Sequence, residues 1–588
     1  MIWDLTRLYQ SFTDPAFAAD MAFAEKMTNE LAAKFHSPNT DDLLQLKDLI
    51  ISFNALQEVT AKLRSFVSLT LATEAENEEA LAVNDQMMAF FVRIRQQFSA
   101  FNRYVGSLGN LEELIEKDAL LKEHAFMLRE TAAEARHTIA PALEETVLKL
   151  RLTGSGAWSQ LRGTLESTVM VDYEENGAVK QLPLAAARNL AYSPDPAVRK
   201  RAYEAELAAY PKIEIPMAAC LSGMKGEALT MLPLRHYESL LEQTLEQSRM
   251  DKETLDAMLS AMRESFPAFR KYLKAKAKAL GHEGGLPFYD LFAPMGKANA
   301  SFTLDQARDM LVEVLGKFSK KMGDHIQQAF DERWIDAYPY AGKRGGAFCS
   351  GVHPLNISYV LTNFDGSLSS VSTLAHELGH AYHNRCMDGL SMMNCGYPMP
   401  LAETASIFNE TLLSSKMLET AAEDEQLMLL ELELMDACQV IVDIMSRYLF
   451  ETEVVERRKT HALSPRELKE IMIDAQKQTY GDGLDENFLH PYMWACKSHY
   501  YRADLHFYNF PYAFGLLFGK GIFARYKERG EAFVAEYDQL LRATATGSVA
   551  EVAASVGIDV HSIDFWRSSL AVLAEDVEKY CRLLEKHA

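Results

Sequence analysis

No glycine occurs before Gly106. The first hundred residues therefore lack the residue that most readily breaks a helix, and they are rich in Ala, Leu, Glu and Gln, which are good helix formers. Long helices follow from that choice. After Ser37-Pro38-Asn39-Thr40, the residues Leu46, Leu49, Ile50, Phe53, Leu56 and Leu63 recur at helical spacing, with Thr40 as the expected cap. Similar patterns run from Glu74 to Tyr104 and from Leu111 to Leu150. Apolar stripes at this spacing read as core.

The helical run breaks at Gly154-Ser155-Gly156. Leu165 to Tyr173 alternates and is β-rich, Asn176-Gly177 is a hairpin signal, and Ala178 to Leu184 returns. Helical periodicity resumes from Arg188 to Leu207. The expected architecture is mostly α-helical. A helical N-terminal domain over 1–200 carries a small β-hairpin element near 165–184, and a second domain runs over 201–588. That second domain is expected to hold helices around 252–281 and 303–330, a loop from Gly281 to Pro294, and a strand from Asn356 to Phe364. Gly342 to Gly351 is glycine-rich but lacks the G-K-[ST] of a phosphate loop.

Within that second part, Leu374-Ala375-His376-Glu377-Leu378-Gly379-His380-Ala381-Tyr382-His383 contains H-E-x-x-H. Four residues apart on a helix, His376 and His380 share one face. Two neutral imidazoles so placed can bind one zinc. Glu377 lies about 100° further round, where it reaches a water rather than the metal. A chance match on an ordinary helix is the competing reading. Against it, Val371, Leu374, Ala375 and Leu378 give the helix an apolar side that turns the histidines inward, and Asn363 to Ser370 supplies turn and cap residues before it.

A zinc site of this kind needs a third protein ligand and an open fourth position. A longer metzincin pattern would require Gly at 383 and His at 386, where this chain has His383 and Cys386. His383 shares the face of the pair, but it lies about 10 Å along the axis from His376. It reads as a packed histidine or one bracing a ligand. Glu403, after Pro398 and Pro400 and at the start of a further amphipathic segment, can approach from across the site. It also reads as an acid suited to a helix N-terminus.

HELGHAYH followed by LAETASIFNE resembles the oligoendopeptidase F family of zinc peptidases, relatives of thimet oligopeptidase. The resemblance runs from Trp3 to beyond Gly515. It implies that His376, His380 and Glu403 hold one zinc ion per chain, that Glu377 is the catalytic base, and that Glu410 stands at most behind a ligand. It also implies a deep channel that admits short unfolded peptides, and it makes 201–588 the peptidase domain. The Asn356–Phe364 strand is expected either to lie at a sheet edge, where it pairs with the substrate backbone, or to be a core strand. The segment Trp494 to Gly515 is dense in aromatics and resembles the family's tyrosine-bearing motif. There His499, Tyr508 and Tyr512 are candidate donors to the oxyanion of the reaction, and an aromatic corner bent by Pro511 is the plainer reading. Relatives carry a further tyrosine where this chain has Gly515.

Composition narrows the field. A net charge of -22 with no basic run argues against nucleic acid. No run approaches 18 apolar residues, so no membrane span is expected, and the first residues lack the pattern of a signal peptide. Seven cysteines with no paired short spacing fit a reducing cytoplasm. Two other functions fit the same motif. One is a carboxypeptidase or dipeptidyl carboxypeptidase, for which Arg344 offers a basic group; the other is a non-catalytic peptide-binding protein.

Overall fold

The computed structural model describes residues 1–296 and 301–587. Two compact units share the chain, each assembled from three stretches. Met1–Thr138, Ala300–Lys416 and Arg525–Gly557 form the first; Ile139–Asn299, Met417–Ala524 and Ile558–Ala588 form the second. The expected chain-order boundary at residue 200 falls inside the helix Pro196–Ala209, and the compact units follow a different division.

The glycine-free start of the first unit forms the helices Pro15–His36, Asp42–Thr73 and Glu78–Ser107. Leu46, Leu49, Ile50, Phe53, Leu56 and Leu63 are fully buried, as their spacing demands. The second helix is capped by Asp41 rather than Thr40: the Asp41 carboxylate accepts from the Leu43 and Leu44 amides. The stretch read as one run from Leu111 to Leu150 is four helices, Leu111–Lys117, Ala119–Glu123, Ala125–Ala135 and Pro141–Thr153. Asp118 ends the first in an extended conformation and caps the second. The run expected over 303–330 likewise divides, into Leu304–Phe318 and Lys320–Asp331, at an extended Ser319 that caps the second piece.

A three-stranded sheet follows in the same unit. Ile357–Leu361 lies in the centre, parallel to Ile335–Asp336 and antiparallel to Phe348–Val352. Of the two readings of Asn356–Phe364, the substrate-binding edge is ruled out and the core strand holds. Both sides of that strand are taken, and all five of its residues are buried, which is how a central strand looks in sequence. The outer strands are Ile335–Asp336 and Phe348–Val352, the latter beginning inside the glycine-rich stretch.

In the second unit the hairpin is Met170–Glu175 with Ala178–Pro183, Glu175 pairing Ala178 across a two-residue turn. Asn176 and Gly177 both have positive φ, 54° and 76°, as a type I′ turn requires. Leu165 to Thr168, expected in the strand, instead end the helix Ser155–Thr168. Long helices make up the rest, among them Glu214–Leu234, Lys252–Ala279 and the closing Ile563–His587. Deep in their core a charge pair is held: Lys276 binds Glu431 at 2.5 Å, and the hydroxyls of Tyr272 and Tyr580 donate to the same carboxylate. No described helix is long and apolar enough to cross a membrane.

Candidate metal centre

The H-E-x-x-H segment lies in the helix Leu368–Cys386, capped by the Ser367 hydroxyl, which accepts from the Ser370 amide at 3.1 Å. Val371, Leu374, Ala375 and Leu378 are fully buried and fix its rotation. The chain then turns through Pro398 and Pro400 into the short helix Met399–Ala402, and Glu403 stands at its junction with Thr404–Thr420.

What brings the two helices together is Gly379. A Cβ there would stand 2.6 Å from Ser406 Cα and 2.7 Å from the Ala405 carbonyl. Only a bare backbone allows this approach. It sits between the two histidine positions and opposite the turn that begins at Glu403. Asn409 ties the helices again by donating to the Ala375 carbonyl at 3.3 Å.

Three donor atoms converge as a result. His376 Nε2 lies 3.2 Å and His380 Nε2 3.5 Å from Glu403 Oε2, and the two imidazole nitrogens are 3.2 Å apart. One atom from each residue fits within 4.8 Å of the others. The three side chains keep 19–27% of their surface exposed, which leaves a side open. Behind His376, its Nδ1 is hydrogen-bonded to Glu410, which fixes the ring and aims Nε2 at the group. Ser406 donates to Glu403 Oε2 at 2.9 Å. Sequence reasoning named Glu410 as at most a residue behind a ligand, and the structure sets it against His376; it had no signal for Ser406 or Gly379.

The electrostatics call for a cation. Burial pushes the Glu403 carboxyl up, but the hydrogen bond from His376 and the charges of both histidines outweigh it and hold the group at about 2. Burial opposes charge on His376 too, yet Glu403 and Glu410 lift that imidazole to about 10. His380, whose burial dominates, is lowered to about 4. A proton on His376 thus supplies the positive charge demanded by two carboxylates. A divalent ion meets the same demand, and two imidazoles with one carboxylate suit a borderline metal.

Glu377 is 6% exposed and lies close enough to feel the charges of His376, Glu403 and Glu410. Burial raises its carboxyl to about 7; His376 opposes the rise, and Glu403 and Glu410 add to it. The edge strand runs past it: burial and the Glu377 charge both push the Cys349 thiol well up. Two residues on, a Cβ on Gly351 would meet Asn384 at 2.6 Å, so the strand lies flat against the helix. Among the described residues Phe348–Val352 pairs on one side only. Arg344, next to that strand, sets its guanidinium over the Phe348 ring at 5.8 Å.

His383 takes no part. It is fully buried, its Nε2 is 2.8 Å from the Thr544 hydroxyl, and its ring stacks on Tyr397 at 4.2 Å. Burial lowers it to about 3, so it is neutral. In the second unit His499, Tyr508 and Tyr512 form one ring cluster, with centroids 5.5–6.1 Å apart. Burial and the charges of Arg447, Lys497 and Arg502 lower His499 to about 4.

The chain also resembles known proteins. The Peptidase family M3 model matches residues 189–572, and the Oligopeptidase F model matches 108–169. The chain is 26% identical to group B oligopeptidase PepB of Streptococcus agalactiae over 68% of this chain and 66% of that one. It is 23% identical to an oligoendopeptidase F homolog of Lactococcus lactis over 100% and 98%. It is also 23% identical to oligopeptidase PepF of Bacillus subtilis over 99% and 87%. In fold it is similar to oligoendopeptidase-F of Enterococcus faecium, with TM-score 0.71, 18% identity, and coverage of 96% of this chain and 99% of the other. A chain from Chlamydophila abortus named as a peptidase gives TM-score 0.85 at 22% identity, covering 99% and 98%. Since one family model spans about two thirds of its length, this chain belongs to Peptidase family M3 and is a metalloendopeptidase.

Proposed function

We propose that this metalloendopeptidase holds zinc through His376, His380 and Glu403 and cleaves internal bonds of short peptides. The observation that carries the reading is the convergence of these three donors beside a buried Glu377. The relatives named for oligopeptide cleavage support the substrate class, and the carboxypeptidase and binding-protein readings are not favoured. Zinc bound there supplies Lewis acidity, bringing the pKa of a water to roughly 7 and polarising the scissile carbonyl. Glu377 then takes a proton from the attacking water and delivers it to the leaving nitrogen. Its apolar surroundings keep the carboxylate weakly solvated and basic. Glu410 holds the His376 ring, and Ser406 holds the Glu403 carboxylate, so neither ligand has to be ordered at the moment of reaction.

The open side of Phe348–Val352 offers unpaired backbone groups to an extended peptide, a mode that binds main chain whatever its side chains. A stably folded protein offers no such strand without local unfolding. The hydroxyl of Tyr508 or Tyr512, with His499, donates to the developing oxyanion; the resemblance of their segment to the family motif supports this role. Seven free thiols suit a reducing compartment, and cytoplasm is the location that fits.

The test is an internally quenched peptide blocked at both ends, assayed beside metal analysis. Internal cleavage by a protein carrying one zinc is the expected result. A demand for a free C-terminus would return the reading to a carboxypeptidase, and no hydrolysis with zinc bound would leave a binding protein. Tyr508→Phe or Tyr512→Phe should lower kcat by about 10²–10³ with little change in KM. A change in thermal stability alone at both positions would take the tyrosines out of the reaction.

A further inference from the structure

The second unit contains a cavity of about 670 Å³ that the proposed reaction does not use. That volume lies in the range of sites for small organic ligands. Its walls are apolar and aromatic: Leu184, Phe288, Tyr289 and the ring pair Tyr192 and Phe292, whose centroids are 5.0 Å apart.

Its polar groups are unequally satisfied. Arg199, on the wall, is spent on Asp290 at 2.7 Å and on the Ser193 and Pro194 carbonyls. Glu166 is held by Arg162 at 2.7 Å. Glu206 accepts from the Tyr210 hydroxyl at 2.7 Å, with His490 Nε2 at 3.3 Å and Arg188 Nε at 3.5 Å. Every acid on the wall thus has a partner. Lys497 differs: among the described residues its ammonium makes no hydrogen bond or ion pair. Asp443, whose charge reaches it, is bound by Arg447. His490 is 1% exposed, and its Nδ1 has no hydrogen-bond partner. Burial lowers the Lys497 amine, with Arg447 adding to the effect; a bound anion would reverse that.

Lys497 is half-buried, and an ammonium partly withdrawn from water without a partner gains from an anion. A ligand with a carboxylate at one end and a ring or branched chain at the other answers both features. We infer that this cavity binds such an organic carboxylate, about the size of a capped amino acid or dipeptide. Lys497 pairs with the carboxylate, Arg188 adds positive charge, and the apolar body lies against Tyr192 and Phe292. The inference is independent of the zinc assignment.

The probe is dansyl-phenylalanine, which has no peptide bond to cleave, titrated by fluorescence into the metal-loaded protein beside dansyl-phenylalaninamide and acetate. One probe per chain is expected. The amide should bind at least tenfold more weakly, since it lacks the charge, and acetate should fail to compete at equal concentration, since it lacks the body. Lys497→Gln and Phe292→Ala should each weaken binding tenfold or more. In the absence of ligand Lys497→Gln should melt no lower than the parent, because it removes an unpaired cation. Equal binding of acid and amide, full binding by Lys497→Gln, displacement by a peptide hydroxamate directed at the metal, or no binding at millimolar probe would each overturn the inference.

Discussion

The helix Leu368–Cys386 presents two histidine environments that differ only by position. His376 and His380 meet a carboxylate across a backbone contact at Gly379; His383, on the same face, meets a hydroxyl, a carbonyl and the flat of Tyr397. The first pair sits in a field that welcomes positive charge, with His376 lifted to about 10. The third sits where positive charge is expelled, at about 3. Helical spacing puts a histidine on a face. The element packed against that face decides whether it can serve as a ligand.

The largest effect expected along this helix lies between the two histidines proposed as ligands. Glu377→Gln should keep the metal and lose turnover by roughly 10²–10⁴-fold. Metal analysis and kcat on one sample decide it; loss of the metal, or near-normal turnover, would mean that Glu377 is not the base.

The contrast itself is tested by the pair Glu403→Ala and His383→Ala. The first should empty the site, while the second should keep it filled. His383→Ala should instead cost about 2–4 kcal/mol of stability through the vacated space and the lost hydrogen bond. That cost should depend on pH. The folded-state value of His383 lies below its unfolded value near 6.5, so its contribution is complete above pH 6.5 and falls as pH falls toward 3. By pH 5 the parent should have lost about 2 kcal/mol that His383→Ala cannot lose. Denaturant midpoints at pH 7 and 5 measure it. If His383→Ala strips the metal while Glu403→Ala retains it, the two environments have been assigned the wrong way round.

Gly379→Ala should give the smallest catalytic effect and the most instructive. One methyl group placed 2.6 Å from Ser406 Cα must push the helices apart, so metal affinity should drop by about 10–100-fold with every ligand still present. Unchanged affinity in a metal-competition titration would show that the backbone contact does not set the site.

The sequence carried His376, His380 and Glu377 openly, because i and i+4 on one helix is local information. Glu403 lies 23 residues beyond His380; spacing counted against His383 but left Glu403 readable as an ordinary helix N-terminal acid, and the resemblance of LAETASIFNE singled it out. The role of Gly379 was hidden because a glycine within a helix looks like a weakness until the neighbouring backbone is seen. The edge strand was missed for a similar reason. Ile357–Leu361 announces itself by five buried residues in a row, whereas the edge strand is masked by the glycines around it. The long helices were legible as apolar stripes, but their ends were not. Asp41, Asp118 and Ser319 cap or break helices through side-chain bonds that periodicity does not register.

The open side of Phe348–Val352 has a consequence for solubility. Any row of unpaired backbone groups that accepts a peptide also accepts a strand from a second protein copy, and long, flat, apolar rows of this kind seed aggregates. Here the row is five residues long and contains Gly351, which disfavours extension. Arg344, exposed and lying over Phe348, puts a positive charge at its entrance, the place where gatekeeping charges commonly stand. An edge this short can hold a peptide for a single encounter and is a poor template for a fibre.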